Sequence, residues 1–292
     1  MMNVVRARRA GFCMGVALAL HKLDSMVAAR KGEQVATLGD IIHNPQVLED
    51  YAQKGVRRLG AAAEAEADMA VLIRAHGVTR SMEEELRSRC ARVEDATCPR
   101  VKKAQLAIAE ATAPGRDLLL YGEADHPEVR GLISYAAGPS HIFSTPAELE
   151  ALLEKESFEG RAVVLAAQTT QDRLIFDEMH SALSARFGDS LTVLDTICDA
   201  TRQRQEEAGE LAGQVQAMVV VGGKTSGNTR RLAELARMRG VPTVLVETAD
   251  ELDRAFFENV ETVGLTAGAS TPGYIIDEVE ARLRSWLSSL HT

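Results

Sequence analysis

The sequence predicts an α/β protein built from three similar modules, each with a mostly parallel sheet. Short apolar segments with strand character alternate with longer helical segments, which is typical of parallel sheets covered by helices on both faces. The same order of segments occurs three times, and each copy begins at a cysteine, namely Cys13, Cys98 and Cys198. We therefore place module boundaries near residues 96 and 193, which gives modules 1–96, 97–193 and 194–292.

Composition and charge narrow the possible classes of protein. A hydrophobic content of 46% and a charged content of 26% are typical of a soluble globular chain. The formal charge of −9 argues against nucleic-acid binding. No segment approaches the about 18 apolar residues of a membrane helix, and the N-terminus lacks the apolar region of a secretory signal. Four cysteines without close spacing favour a reducing compartment, so we expect a cytoplasmic protein, and by default a monomer.

Each module repeats one order of predicted elements, shown here for the third. A strand, L-T-V-L-D-T-I, leads into the cysteine and a helix, and the strand M-V-V-V-G-G follows. A polar loop and a second helix come next, then a short strand and a small acidic helix. The strand E-T-V-G-L-T-A leads through another polar loop into the last helix. The acidic element of the first module, Ala61–Ala67, is also predicted to be a solvated helix.

Each module also has two polar loops at corresponding positions. The first loop follows the cysteine by 28 to 30 residues and carries His43, His126 or Ser226. The second follows it by 63 to 72 residues and carries His76, Thr169 or Ser270. Ligands of parallel sheets bind beyond the carboxyl ends of the strands, where these loops lie. Neutral donors of this kind, with the N–H groups of helix N-termini, suit a phosphate-type anion.

Three modules around a pseudo-threefold axis would bring the three thiolates and six loops to one centre. Three thiolates can hold zinc with a fourth ligand, a [3Fe–4S] cluster, or a [4Fe–4S] cluster with one open iron. The residues alone leave these possibilities open.

Several residues also have ordinary structural interpretations. Cys90 has no counterpart in the other modules, and we interpret it as a small core residue. The segment G-G-K-T-S resembles a P-loop, but the required first glycine is replaced by Met218. His43 could be a simple loop residue before a helix capped by Asn44, and Glu128 a first-turn carboxylate.

Taken together, the motifs resemble those of the 4-hydroxy-3-methylbut-2-enyl diphosphate reductase family. They are G-F-C-x-G-V, H-N-x-x-V, R-A-H-G-V, D-A-T-C-P, H-P-E-V-x-G, Q-T-T, I-C-x-A-T-x-x-R-Q, K-x-S-x-N-T-x-R-L and G-A-S-T-P. The resemblance runs from Cys13 to Pro272. It implies three α/β modules around a central [4Fe–4S] cluster.

The resemblance also implies a role for each matching residue. Cys13, Cys98 and Cys198 would ligate the cluster, and its open iron would bind the hydroxyl oxygen of the substrate. Glu128 would be the proton donor, and Thr169 would position the substrate and relay protons. His126 would line the pocket beside the substrate. The diphosphate would be held by His43, His76, Ser226, Asn228 and Ser270. Many family members have two serines before the asparagine, whereas this chain has Ser226-Gly227-Asn228, so one side-chain contact is lost.

The implied reaction is the reductive dehydroxylation of (E)-4-hydroxy-3-methylbut-2-enyl diphosphate to isopentenyl and dimethylallyl diphosphate. This is the last step of the non-mevalonate isoprenoid pathway. The sequence has no nicotinamide or flavin fingerprint, so we expect an external one-electron donor of the ferredoxin or flavodoxin type. The alternatives are a non-catalytic iron–sulfur redox sensor, a small-anion binding protein, and a zinc hydrolase with three cysteine ligands.

Overall fold

A computed structural model describes residues 3–113 and 115–288. The twelve strands of this part of the chain are β1 (Asn3–Arg6), β2 (Gln34–Leu38), β3 (Arg57–Leu59), β4 (Met69–Ile73), β5 (Arg92–Asp95), β6 (Asp117–Tyr121), β7 (Ser140–Phe143), β8 (Val163–Ala167), β9 (Leu191–Val193), β10 (Ala217–Val221), β11 (Thr243–Val246) and β12 (Thr262–Ala267). The ten α-helices described are α1 (Met14–Ala29), α2 (Pro45–Gln53), α3 (Arg80–Arg89), α4 (Pro99–Thr112), α5 (Pro127–Ile133), α6 (Pro146–Lys155), α7 (Arg173–Phe187), α8 (Asp199–Ala212), α9 (Gly227–Met238) and α10 (Gly273–Ser288).

The strands form three four-stranded sheets with the orders β3-β2-β4-β5, β7-β6-β8-β9 and β11-β10-β12-β1. All strand pairs in the described chain are parallel. The predicted fold class, three α/β modules with parallel sheets, is confirmed. The sheets also share one order, in which the strand that leads into a cysteine lies at one edge, so that β5 pairs with β4 and β9 pairs with β8. For Cys13 that strand is β1, which pairs with β12 near the other end of the chain.

The chain folds as two compact units. One unit consists of residues 3–16, 43–49 and 199–288 and contains the sheet of β1 and β10–β12. The other consists of residues 17–42, 50–113 and 115–198 and contains the remaining two sheets. The boundaries near residues 96 and 193 stay a prediction, because the sheets and the compact units divide the chain in different ways.

Central strands are buried along their whole length. In β4, β6, β8 and β10 all five residues are buried, as expected for strands covered by helices on both faces. The side chains are mostly Val, Leu, Ile and Ala, which fits the low aromatic content. Truncating one such leucine to alanine typically costs about 2–5 kcal/mol. The loops at the ends of these strands therefore begin from buried, tightly packed backbone.

The small acidic element is an α-helix in the second module only. There α6 begins with Pro146 after the cap Thr145, whose hydroxyl accepts a hydrogen bond from the backbone N–H of Glu148 at 3.1 Å. The corresponding segment of the first module forms one 3-10 turn, Ala62–Glu64, and that of the third forms two, Ala249–Glu251 and Arg254–Phe257. The predicted helix over Ala61–Ala67 is therefore wrong. Three apolar leucines anchor α6 to the core of its module, whereas the Ala/Glu-rich segment has too little apolar surface to extend a helix.

Within residues 3–113 and 115–288, every helix is too short or too polar to cross a bilayer.

Candidate active site

The three repeated cysteines are anchored in the same way. Each follows the last strand of a sheet, and its backbone N–H donates to the loop after the neighbouring strand. The acceptors are the carbonyls of Ala75 for Cys98 at 2.9 Å, of Thr169 for Cys198 at 3.0 Å, and of Ala269 for Cys13 at 3.1 Å. The cysteines therefore occupy equivalent positions in the three sheets. All three are half-buried and outside any disulfide, as expected for thiols that can bind a metal.

Cys90 has a different environment. It is buried in the core of the sheet formed by β2 to β5, at the end of α3, and its thiol donates to the carbonyl of Glu66 at 3.2 Å. Burial raises the pKa of this thiol, which disfavours the thiolate needed for metal binding. Its structural interpretation agrees with this position.

In the unit with two sheets, Glu128 is a buried carboxylic acid. It lies in the first turn of α5 with 1% of its surface exposed. The backbone N–H of Thr169 donates to Oε1 at 2.6 Å, and the Thr169 hydroxyl donates to Oε2 at 3.0 Å. Removal from water raises the pKa of Glu128 to about 7, although both hydrogen bonds act in the opposite direction. The side chain can therefore hold and release a proton near neutral pH.

Thr169 connects this acid to one of the cysteines. Its N–H and hydroxyl bind Glu128, while its carbonyl accepts the N–H of Cys198. It directly follows β8, and only 5% of its surface is exposed. A single residue thus fixes the acid and a candidate metal ligand relative to each other.

Two histidines lie beside the acid. His126 caps α5, and its Nδ1 accepts the N–H of Glu128 at 3.1 Å, so in the neutral tautomer Nε2 carries the proton. Pro127 at the first helical position favours this helix start. The ring of His76 meets that of His126 edge-on, with centroids 5.4 Å apart. His76 lies in a tight turn after β4, closed by a 2.9 Å hydrogen bond from Gly77 N–H to the Arg74 carbonyl. Gly77 has φ +72°, which favours glycine.

The other unit brings together a second group of predicted residues. Ser226 caps α9, and its hydroxyl accepts the N–H of Thr229 at 3.4 Å. The Ser270 hydroxyl donates to the His43 carbonyl at 3.0 Å. Gly223 lies against the same carbonyl, and a Cβ there would be 2.6 Å from the oxygen. His43, Ser226, Asn228 and Ser270 therefore belong to one cluster of loops at the N-terminus of α9.

Asn228 indicates that this cluster binds a polar ligand. The residue is 5% exposed, and neither its Oδ1 nor its Nδ2 has a hydrogen-bond partner among the described residues. A buried amide without partners costs about 1–3 kcal/mol. A ligand that can both donate and accept, or a ligand with bound water, would remove this cost.

The sequence analysis gave two contributors to these loops no role in the site, namely Gly223, within the P-loop-like segment G-G-K-T-S, and Arg74. Gly223 is required by the close approach of the His43 carbonyl, which no local pattern shows. Arg74 lies within the motif R-A-H-G-V, two residues before His76. This position beside a predicted site residue could have marked Arg74 as a candidate. Asn44 does cap its helix as expected, because its Oδ1 accepts the N–H of Val47 at 3.0 Å.

Comparisons with known proteins agree on one family. The family model described as "LytB protein" matches residues 4–284. A Desulfovibrio desulfuricans protein named 4-hydroxy-3-methylbut-2-enyl diphosphate reductase is 54% identical, and the alignment covers 99% of this chain and 100% of that protein. A solved structure titled (E)-4-hydroxy-3-methyl-but-2-enyl diphosphate reductase, the terminal enzyme of the non-mevalonate pathway, is 38% identical. It matches with a TM-score of 0.69 over 98% of this chain and 100% of that chain.

The Plasmodium falciparum E-1-hydroxy-2-methyl-but-2-enyl-4-diphosphate reductase supports the fold alone, since only 23% of its residues are identical. Its TM-score is 0.88, and the match covers 100% of this chain and 88% of that chain. The family model and the bacterial relative each extend over nearly the whole chain, so this protein belongs to the LytB protein family.

Proposed function

We propose that the protein removes the hydroxyl group of (E)-4-hydroxy-3-methylbut-2-enyl diphosphate by reduction, giving isopentenyl and dimethylallyl diphosphate. Family membership and the names of the relatives support this reaction. The observation that carries the proposal is the connection of Glu128, an acid that titrates near neutral pH, to Cys198 through Thr169. A redox sensor or an anion-binding module has no need of such an acid.

The three equivalent cysteines fit an iron–sulfur cluster in their chemistry. They supply three sulfur ligands, one at the same position of each sheet, and none is used in a disulfide. We propose that Cys13, Cys98 and Cys198 hold a [4Fe–4S] cluster. With three protein ligands, such a cluster keeps one iron open, which can polarise the C–O bond of the substrate and pass electrons singly.

The family resemblance assigns diphosphate capture to residues in each of the two groups of loops. Ser226 and Asn228 lie at the start of α9, where free backbone N–H groups and the helix dipole favour an anion. Ser270 and His43 adjoin them in the same unit. In the other unit, His76 and His126 supply imidazole donors. This anchoring would hold the reacting end of the substrate in a fixed orientation.

Glu128 would supply the proton that makes the hydroxyl group a workable leaving group. The substrate gains two electrons and two protons, its C–O bond breaks, and the oxygen leaves as water. Hydroxide itself is a poor leaving group, so protonation of the oxygen must accompany bond cleavage. With its pKa near 7, Glu128 is protonated in a large fraction of molecules at neutral pH. The hydroxyl of Thr169 lies 3.0 Å from Oε2 and can pass the proton on.

The two electrons would come from a separate protein. We propose an external ferredoxin or flavodoxin as the one-electron donor, since the sequence has no fingerprint for a nicotinamide or flavin cofactor. We further propose that the protein works as a monomer in the cytoplasm.

Anaerobic purification followed by an assay tests the function. We expect a brown protein that contains iron and converts the substrate to the two products with a reduced one-electron dye, while Glu128→Gln stays brown and loses turnover. A colourless protein with zinc would support the hydrolase instead. A brown protein without turnover would support a sensor.

A further inference from the structure

Arg74 connects the two turns that follow the strands β2 and β4. Its Nε donates to the carbonyl of Gly77 at 3.1 Å, across the turn that carries His76. The guanidinium also packs against Gly39, directly after β2. A Cβ at Gly39 would be 2.2 Å from Nη1 and 2.9 Å from Cζ, so the guanidinium occupies the space that any other residue would fill. The position of His76 therefore depends on the Arg74 side chain.

Arg74 is also a partly buried cation. It makes no ion pair with a carboxylate of the described chain, and burial lowers the pKa of its guanidinium. The nearest charges are Asp40 and Arg130, and each has another partner. Asp40 binds Arg58 at 2.7 Å, and Arg130 binds Asp125 at 2.9 Å. An arginine stays protonated under these conditions, so this part of the molecule holds a positive charge that Asp40 stabilises only from a distance and that no ion pair neutralises.

A purely structural role does not account for this arrangement. Removing a cation from water without a partner is unfavourable, and an apolar side chain would fill the same space without that cost. The charge is accounted for if the neighbouring site binds an anion. The side chain is held in one orientation, and its remaining N–H groups have no acceptor among the described residues.

We propose that Arg74 is a positioning residue for diphosphate recognition: it holds the turn of His76 in place and adds a positive charge without an ion-pair partner beside it. This inference rests on the proposed function. It extends that function because it adds a positive charge to the proposed diphosphate site, where the other predicted ligands are neutral hydrogen-bond donors. Arg74 would act through His76 and through its charge, and the proton transfer would remain with Glu128.

The first test compares Arg74→Met with a matched control, Arg57→Met. Arg57 lies on β3 of the same sheet, is about half exposed, and pairs only with Glu66 among the described residues. We expect Arg74→Met to raise KM about tenfold with kcat within about twofold, the order expected when one charge-assisted interaction is lost. Arg74→Lys, which keeps the charge but loses the flat guanidinium, should recover part of the affinity. Arg57→Met should keep both constants. Raising the salt concentration should weaken substrate binding more in the unsubstituted protein than in Arg74→Met.

The second test moves the guanidinium while keeping Arg74. Gly39→Ala must displace the guanidinium, whereas Gly32→Ala introduces a similar backbone strain with nothing within 4 Å. The φ angles are +79° and +89°, so the strain is matched. We expect Gly39→Ala to raise KM as Arg74→Met does, and Gly32→Ala to leave KM unchanged. If Arg74→Met fails to retain iron, comparing Gly39→Ala with Gly32→Ala still tests whether the position of the Arg74 guanidinium affects KM.

Three results would overturn the proposal. They are an unchanged KM in Arg74→Met, a loss of kcat without a change in KM, and equal effects of the two glycine substitutions. Turnover by the unsubstituted protein tests the proposed function itself, so failure of that function is distinguishable from failure of this inference.

Discussion

Replacing Glu128 by glutamine should stabilise the protein and abolish its activity at the same time. The native carboxyl has a pKa of about 7 against an ordinary value of 4.5. This difference corresponds to about 3 kcal/mol, because one pKa unit corresponds to about 1.4 kcal/mol. Glutamine has nearly the same shape: its oxygen can accept the Thr169 N–H, and its amide can donate to the Thr169 hydroxyl.

The sign of the effect follows from where the proton is released. An unfolded chain loses the Glu128 proton near pH 4.5, whereas the native protein keeps it until about pH 7. The stability that the neutral acid contributes is therefore fully present below pH 4.5 and is lost as the pH rises to about 7. Above that pH the native state contains a buried carboxylate. We expect Glu128→Gln to match the parent protein at low pH and to exceed its free energy of unfolding by up to about 3 kcal/mol at pH 8.

Denaturant unfolding at several pH values measures this difference, and steady-state turnover at pH 7 measures the activity. Loss of a general acid typically lowers kcat by about 10²–10⁴-fold. Glu110→Gln is a suitable control, because Glu110 is exposed on α4 in the same unit. Near-normal turnover in Glu128→Gln would refute the catalytic role. A loss of turnover without an increase in the free energy of unfolding at pH 8 would show that burial does not raise the pKa of Glu128 as argued.

Three further substitutions test other parts of the site. Cys90→Ser should keep the iron content and colour, because this thiol is buried in the core of the sheet formed by β2 to β5. Loss of colour would show that Cys90 is one of the cluster ligands. Asn228→Ala should raise KM by about tenfold or more while the absorption spectrum is unchanged, and an altered spectrum with an unchanged KM would contradict its assignment to the diphosphate. Thr169→Val removes a hydroxyl whose hydrogen bond lowers the pKa of Glu128, so the decline of kcat on the alkaline side should move to higher pH. An unchanged pH profile would show that a group other than Glu128 causes the alkaline decline of kcat.

The repeat in the sequence predicted the sheets and the equivalence of the cysteines, because strand and helix periods are local properties. It also placed the polar loops, since parallel strands end at the same edge. The contacts between loops were not predictable. The hydrogen bonds of Thr169 to Glu128 join residues 41 positions apart, and the packing of Gly223 on His43 depends on tertiary structure. The lack of an ion pair at Arg74 likewise depends on the tertiary structure around it.

The anchoring of the cysteines explains which changes near them the fold can tolerate. Each cysteine is held by its backbone N–H to a carbonyl in the loop after the neighbouring strand. Side chains next to the cysteine do not take part in that bond, so the exposed side chain of Met14 can be changed without displacing Cys13. A residue inserted into the loop at Ala75, Thr169 or Ala269 would instead displace the carbonyl, and the thiol with it. At Thr169 such an insertion would also separate Glu128 from its hydrogen-bond donors. The loops after β4, β8 and β12 should therefore tolerate changes of length less well than the loops after β3, β7 and β11.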